Sequence, residues 1–116
     1  MQIEFEFSST KIAASSFPIL DELARLMAAN PDIEHLRIEG HTDNAGSESF
    51  NKTVSTRRAE AVRDYLVQRG KVNSTRLSFE GFGPSRPIAP NNTDAGRAKN
   101  RRVELHIEKA TGGKGP

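Results

Sequence analysis

Apolar and polar residues alternate over residues 2–7, where Ile3, Phe5 and Phe7 sit between Gln2, Glu4 and Glu6. A period of two marks a strand with one buried face. Ser8 to Ser16 is mostly small and polar, and the Ser15-Ser16 pair ahead of Phe17-Pro18 predicts a capped helix with an early proline. Leu20, Leu23, Ala24, Met27 and Ala28 then fall at i, i+3, i+4, i+7 and i+8, one continuous helical stripe. Asn30-Pro31 ends it. A short second strand follows, with Leu36 and Ile38 set between His35, Arg37 and Glu39.

Gly40 to Gly46 reads GHTDNAG, a glycine-bounded loop of side chains that bond their own backbone. It leaves the end of a strand, where functional loops of α/β folds sit. A second helix over 48–69 carries Val54, Ala61, Val62, Tyr65 and Leu66 on one face and closes at Gly70. Leu77 to Glu80 forms a third strand. Gly81 to Gly96, with Pro84, Pro87 and Pro90, predicts a long ordered loop of the kind that is commonly functional. Arg101 to Glu108 alternates again and makes the fourth strand, and Thr111 to Pro116 reads as a tail. The order β-α-β-α-β-β predicts an α+β two-layer sandwich, helices packed on one face of a four-stranded mixed sheet. The domain covers 1–109 and the flexible tail 110–116.

Composition narrows the classes. A chain of 116 residues supports one core, and its 34% apolar content, though low, is gathered in periodic clusters. The absence of cysteine removes disulfides, a thiol nucleophile and cysteine-based zinc sites. No apolar run of membrane-spanning length occurs, and the N-terminus lacks a signal-peptide pattern. That leaves a cytosolic protein or an excised domain as the two readings. Charge is uneven: residues 1–51 carry −6, residues 52–102 carry +8, and the remainder balances. Eleven of the 17 bases are arginine, which suits bidentate recognition of carboxylate or phosphate.

The periodicity breaks at two places. Arg58 projects from the same helical stripe as Val54, Ala61 and Tyr65, with Asn51 two turns earlier on that face, whereas Arg57 points elsewhere. The alternation that turns Val103, Leu105 and Ile107 to the core turns Arg101 inward too and Arg102 away. An inward guanidinium needs an anionic or carbonyl partner. Periodicity leaves two readings open: a structural salt bridge, with Asp43 as a partner, or a small pocket of both charge signs that fits a zwitterion. The histidines at 35, 41 and 106 lack the clustered spacing of a zinc site, and no G-x-S-x-G elbow surrounds a serine. Neither metal, cofactor nor catalytic residue is therefore expected. Gly81-Phe82-Gly83-Pro84 lacks the continuation of a phosphate loop, and the aromatic residues lie mostly at core positions, against nucleic-acid binding.

The run I-E-G-H-T-D-N-A-G (38–46), Asn51, V-S-T-R-R-A-E-A-V (54–62), G-F-G…P (81–87) and G-R-A-K-N-R-R-V-E-L (96–105) resembles the OmpA-like peptidoglycan-binding domain. That family is shared by OmpA proteins, Pal lipoproteins and MotB-type stator proteins, and the resemblance extends from Ile3 to Ile107. It implies a non-catalytic module that grips the diaminopimelate of the wall's stem peptide. By the resemblance, Asp43 holds the ammonium, Arg58 the carboxylate, Asn51 supports loop and ligand, Arg101 is a ligand-side arginine, and Thr42 adds hydrogen bonds. Val54 stands where the family's helix motif has leucine. The implied partner is peptidoglycan, the implied place is the periplasm, and the implied membrane anchor lies outside these 116 residues, in a parent that could dimerise. Two other classes stay in view: an assembly domain without wall binding, and a cell-wall hydrolase.

Overall fold

The computed structural model describes residues 3–6 and 9–109. Helix α1 (Phe17–Ala29), strand β1 (Ile33–His41), helix α2 (Glu48–Gln68), strand β2 (Leu77–Gly81), helix α3 (Asp94–Asn100) and strand β3 (Arg102–Lys109) follow in that order. Among the described residues the sheet has three strands in the order β2-β1-β3, with β1 parallel to β2 and antiparallel to β3. The architecture is the mixed α+β sandwich that the periodicity predicts, with one strand fewer.

The missing strand is the first. Phe5 makes an isolated antiparallel bridge to Ile12, supported by Ala13 N–H to the Glu4 carbonyl and Glu6 N–H to the Lys11 carbonyl, both 2.9 Å. The chain thus folds back on its own next segment instead of joining the sheet. Ile3 is nevertheless buried, so the alternation there reports burial correctly and pairing incorrectly. Gln2, Phe7 and the 110–116 tail lie outside the described residues.

Leu20, Leu23, Ala24 and Met27 of α1 are buried as their spacing requires, and Pro18 lies in its first turn. Ser16 does not cap the helix, because its hydroxyl accepts from Glu4 N–H at 2.7 Å. The helix end is held from outside the element. Arg76 donates to the carbonyls of Met27, Asn30 and Ile33 at 2.6–3.1 Å, a cation on the negative end of the helix dipole.

On α2 the fully buried face is Asn51, Ser55, Ala59, Val62 and Leu66, one step around from the predicted stripe. The reason is small side chains at the sheet contact. A Cβ on Gly40 would lie 2.1 Å from the Ser55 carbonyl oxygen, and one on Gly81 would lie 2.3 Å from Thr56 N. Helix and sheet backbones therefore touch, and only Ser55 and Ala59 fit between them. Val54, Arg58, Ala61 and Tyr65 become the half-buried shoulder of the helix. Gly70 serves the packing of α1, since its Cβ would fall 2.7 Å from that of Ala24, while the positive φ after the helix belongs to Lys71.

Helix α3 occupies a stretch whose first part belongs to the expected loop. Thr93 caps it by accepting from Gly96 N–H at 3.0 Å, and at seven residues it is too short to show a stripe. Strand β3 consequently begins at Arg102. Of its alternate residues, Val103 is buried, Leu105 half-buried and Ile107 exposed. Arg102 does point away from α2, but the far face is not solvent there. It is buried, donating to Glu104, to the Asn100 carbonyl and to the Arg86 carbonyl.

The backbone contact at Gly40 yields a direct test. Gly40→Ala should lower unfolding free energy by about 1–3 kcal/mol or more, because the obstructing atoms are backbone and cannot rotate aside. Urea denaturation of the two chains measures it, and equal midpoints would contradict the packing described.

Candidate functional site

Strand β1 delivers Thr42 and Asp43 into a loop anchored at both ends. Thr42 N–H donates to the Gly83 carbonyl at 2.9 Å, and Phe82 N–H to the Gly40 carbonyl at 2.9 Å. Asp43 is buried. Its Oδ1 accepts from Ala45 N–H at 3.0 Å, folding the loop around it, and its Oδ2 accepts from Arg101 at 2.8 Å. The loop then enters α2 at Ser47, whose hydroxyl accepts from Phe50 N–H at 3.1 Å.

One turn into α2, buried Asn51 donates to the Ala45 carbonyl at 2.7 Å and lies 3.5 Å from the Asp43 carbonyl. It fastens the loop to the helix. The Thr42 hydroxyl donates to the Asp43 carbonyl at 2.8 Å. Two turns beyond Asn51 comes Arg58, whose Nε donates to the Ser9 carbonyl at 3.0 Å and whose guanidinium lies over the Phe5 ring at 5.1 Å. Burial, and after it the positive charge of Arg101, lower the Arg58 pKa from its ordinary value. Among the described residues its terminal nitrogens have no hydrogen-bond acceptor.

All five residues selected from the sequence meet at one place. Thr42, Asp43, Asn51, Arg58 and Arg101 line a cavity of about 500 Å³, with Ser9, Thr10, Phe50 and Val54 completing its wall. The salt bridge to Asp43 comes from Arg101 and not from Arg58. Arg101 is the residue between α3 and β3, so strand alternation does not govern it. Its side chain is 47% exposed and reaches Asp43 from the cavity edge. A larger cavity of about 690 Å³ shares Arg58 and Arg101 with this one and adds Glu4, Glu6 and Arg102, but it lacks Thr42, Asp43 and Asn51.

Several supporting residues were not visible in the periodicity. The Ser55 hydroxyl accepts from Gly83 N–H and donates to the Lys52 carbonyl, both at 2.9 Å, which commits it to structure. Asn100 is fully buried, and its side chain bonds Ile88 N–H, Ala89 N–H, the Ala89 carbonyl and Asn91. It ties the proline-rich loop to the residue just before Arg101. Phe50, 64% exposed at the cavity rim, is among the described residues the large apolar group most open to solvent. It lies one helical turn before Val54, on the same face as the half-buried shoulder of α2.

Known proteins share this sequence and fold. The family model described as the OmpA family matches residues 4–101. Outer membrane porin F of Pseudomonas aeruginosa is 41% identical over 108 residues, 93% of this chain and 31% of that protein. The peptidoglycan-binding protein ArfA of Mycobacterium tuberculosis is 43% identical over 105 residues, 90% of this chain and 32% of that protein. The chain thus spans about a third of the length of these two relatives. In three dimensions it is similar to the peptidoglycan-associated lipoprotein of Burkholderia pseudomallei, with a TM-score of 0.84, 28% identity and coverage of 92% of this chain and 89% of that one. It is equally similar to the C-terminal domain of Helicobacter pylori MotB, with a TM-score of 0.84, 27% identity and coverage of 97% and 87%. With the family model matching residues 4–101, most of its length, this chain belongs to the OmpA family.

Proposed function

We propose that this chain is a non-catalytic module that binds peptidoglycan through the diaminopimelate of the stem peptide and tethers a parent protein of the bacterial envelope to the wall. The observation that carries this reading is the convergence of Asp43, Arg58 and Arg101 on one cavity. Diaminopimelate ends in a carbon bearing both an ammonium and a carboxylate. Asp43 supplies the acceptor for the ammonium. Arg58 and Arg101, two cations that repel each other across the cleft, supply donors for the carboxylate, and a carboxylate between them relieves that repulsion. The ligand's ammonium would take the place at Asp43 that the Arg101 guanidinium holds, and the ligand's carboxylate would take up Arg101 in return. Charge on both sides stays paired throughout the exchange.

Homology adds to the chemistry. The ArfA relative is named for binding peptidoglycan, and the Burkholderia structure is a peptidoglycan-associated lipoprotein. Relatives that are outer-membrane proteins and lipoproteins support a periplasmic place for the domain. Against a hydrolase stands the arrangement of the three residues that could imitate a triad. Ser55 is bonded to backbone, Asp43 is held by Ala45 and Arg101, and His41 faces the other side of the sheet. Modest affinity at one site suffices, because a polymeric wall presents many copies.

Sedimentation with purified sacculi tests the reading. Asp43→Ala and Arg58→Ala should each weaken binding by roughly ten- to a hundredfold, the equivalent of one charge-assisted hydrogen bond, while Arg57→Ala binds as the parent does. Retention of parent-like binding by folded Asp43→Ala and Arg58→Ala would favour an assembly domain without wall binding, and release of soluble muropeptides would favour a hydrolase. A wall with lysine in place of diaminopimelate should sediment markedly less of the chain, since lysine lacks the distal carboxylate. Arg101→Ala should lose binding with its melting temperature nearly intact, whereas Arg102→Ala should lose several degrees of melting temperature and bind normally once folded.

A further inference from the structure

The cleft has an apolar wall that its charged groups do not account for. Among the described residues the exposed large apolar side chains are Leu26, Phe50, Ile88 and Ile107, and of these Phe50 alone borders the cavity of Asp43, Arg58 and Arg101. Scattered exposed apolar residues are ordinary. Phe50 is not scattered. Half-buried Val54 follows it one turn later in the same cavity wall, and Arg58 comes one turn after that. The spacing i, i+4, i+8 sets ring, branched chain and guanidinium in one row along α2.

The backbone beneath the ring is fixed. Phe50 N–H donates to the Ser47 hydroxyl at 3.1 Å, and the next residue, buried Asn51, donates to the Ala45 carbonyl at 2.7 Å. The contacts that hold the loop of Asp43 thus also hold the ring, while most of the ring itself faces water. Apolar surface kept open at the mouth of a polar cleft is surface whose burial by a ligand favours binding.

We infer that Val54 and Phe50 form an apolar subsite for the stem peptide beyond its charged head group: Val54 for the methylene chain of diaminopimelate, Phe50 for the methyl group of the alanine that follows it. The subsite rests on the function proposed above. A rise of about 1.5 Å per residue places Val54 about 6 Å, and Phe50 about 12 Å, from Arg58 along the helix. The extended chain between the two α-carbons of diaminopimelate spans about 5 Å, and the following residue lies up to about 3.6 Å further on. A head group held at Arg58 therefore lays the methylenes over Val54 and brings the next residue to the ring. The stem peptide flanks diaminopimelate with an acidic residue on one side and alanine on the other. A methyl group gains by covering the ring, whereas a carboxylate pressed there loses hydration and meets the like charge of Glu48 in the first turn of α2. Alanine is the neighbour that fits.

Calorimetry with two soluble stem peptides tests the subsite: the tripeptide that ends in diaminopimelate, and the tetrapeptide that adds the alanine. The parent chain should bind the tetrapeptide roughly three- to tenfold more tightly. Phe50→Ala should remove that preference, and Phe50→Leu, which restores an apolar side chain, should keep most of it. Arg58→Ala should weaken both peptides alike, because it acts on the head group they share. With the ring exposed, Phe50→Ala should melt where the parent does, which shows that the variant is folded. A parent chain without preference for the tetrapeptide, or a preference that survives Phe50→Ala, would overturn the subsite and leave wall binding standing. A parent chain that binds neither peptide would overturn both.

Discussion

Helix α2 meets the sheet at backbone distance, and the cleft is mounted on that contact. Gly40 and Gly81 leave no room for a side chain, and Ser55 and Ala59 are the small residues that press into the space. Because helix and strands touch there, the end of β1 and the first turns of α2 are neighbours. The connecting loop is correspondingly short and clamped. Gly83 is bonded from both sides, by Thr42 N–H at its carbonyl and by the Ser55 hydroxyl at its N–H. Asn51 closes the loop from the helix side. A looser interface would let Asp43 and Arg58 drift apart by ångströms, and the proposed binding of a head group with two opposite charges tolerates little of that.

The two faces of the molecule handle charge differently. On the outer sheet face arginines and glutamates pair off, Arg37 with Glu39 and Glu108, Arg102 with Glu104. Burial alone works against the Glu39 carboxylate, but the Arg37 hydrogen bond and the charges of His106 and Arg37 outweigh it and hold its pKa below the ordinary value. The cleft has one carboxylate for two guanidiniums. Arg101 takes Asp43, and Arg58 has only a carbonyl, at Ser9, and the face of Phe5. A half-buried cation satisfied by a carbonyl and a ring is a weaker arrangement than an ion pair, which is what makes this end of the molecule receptive to an anion.

Much of this was legible along the chain, and the errors have identifiable causes. Amphipathic stripes located α1 and α2, because burial on one side imposes a period that survives in the residue order. The loop of 40–46 announced itself by composition, and the motifs around Asp43, Asn51, Arg58 and Arg101 named the cleft by resemblance. Strand pairing did not follow. Alternation at Ile3 and Phe5 says that one side is buried, but not that the segment bridges to Ile12 and stays out of the sheet. Arg101 was assigned inward as a strand residue, yet it reaches Asp43 because α3 ends beside it. Arg102, assigned outward, is buried by the loop that folds over it.

Residue order by itself determined the elements, the single α+β core and the chemical types brought to the cleft, since each depends on neighbours within a few positions or on motifs with fixed spacing. Only the tertiary structure decided which arginine pairs with Asp43, which helix face lies deepest, and that His41 and His106 both come up against Glu39. Those outcomes depend on how closely backbones approach and on which strands pair, distances between segments tens of residues apart that no local pattern encodes.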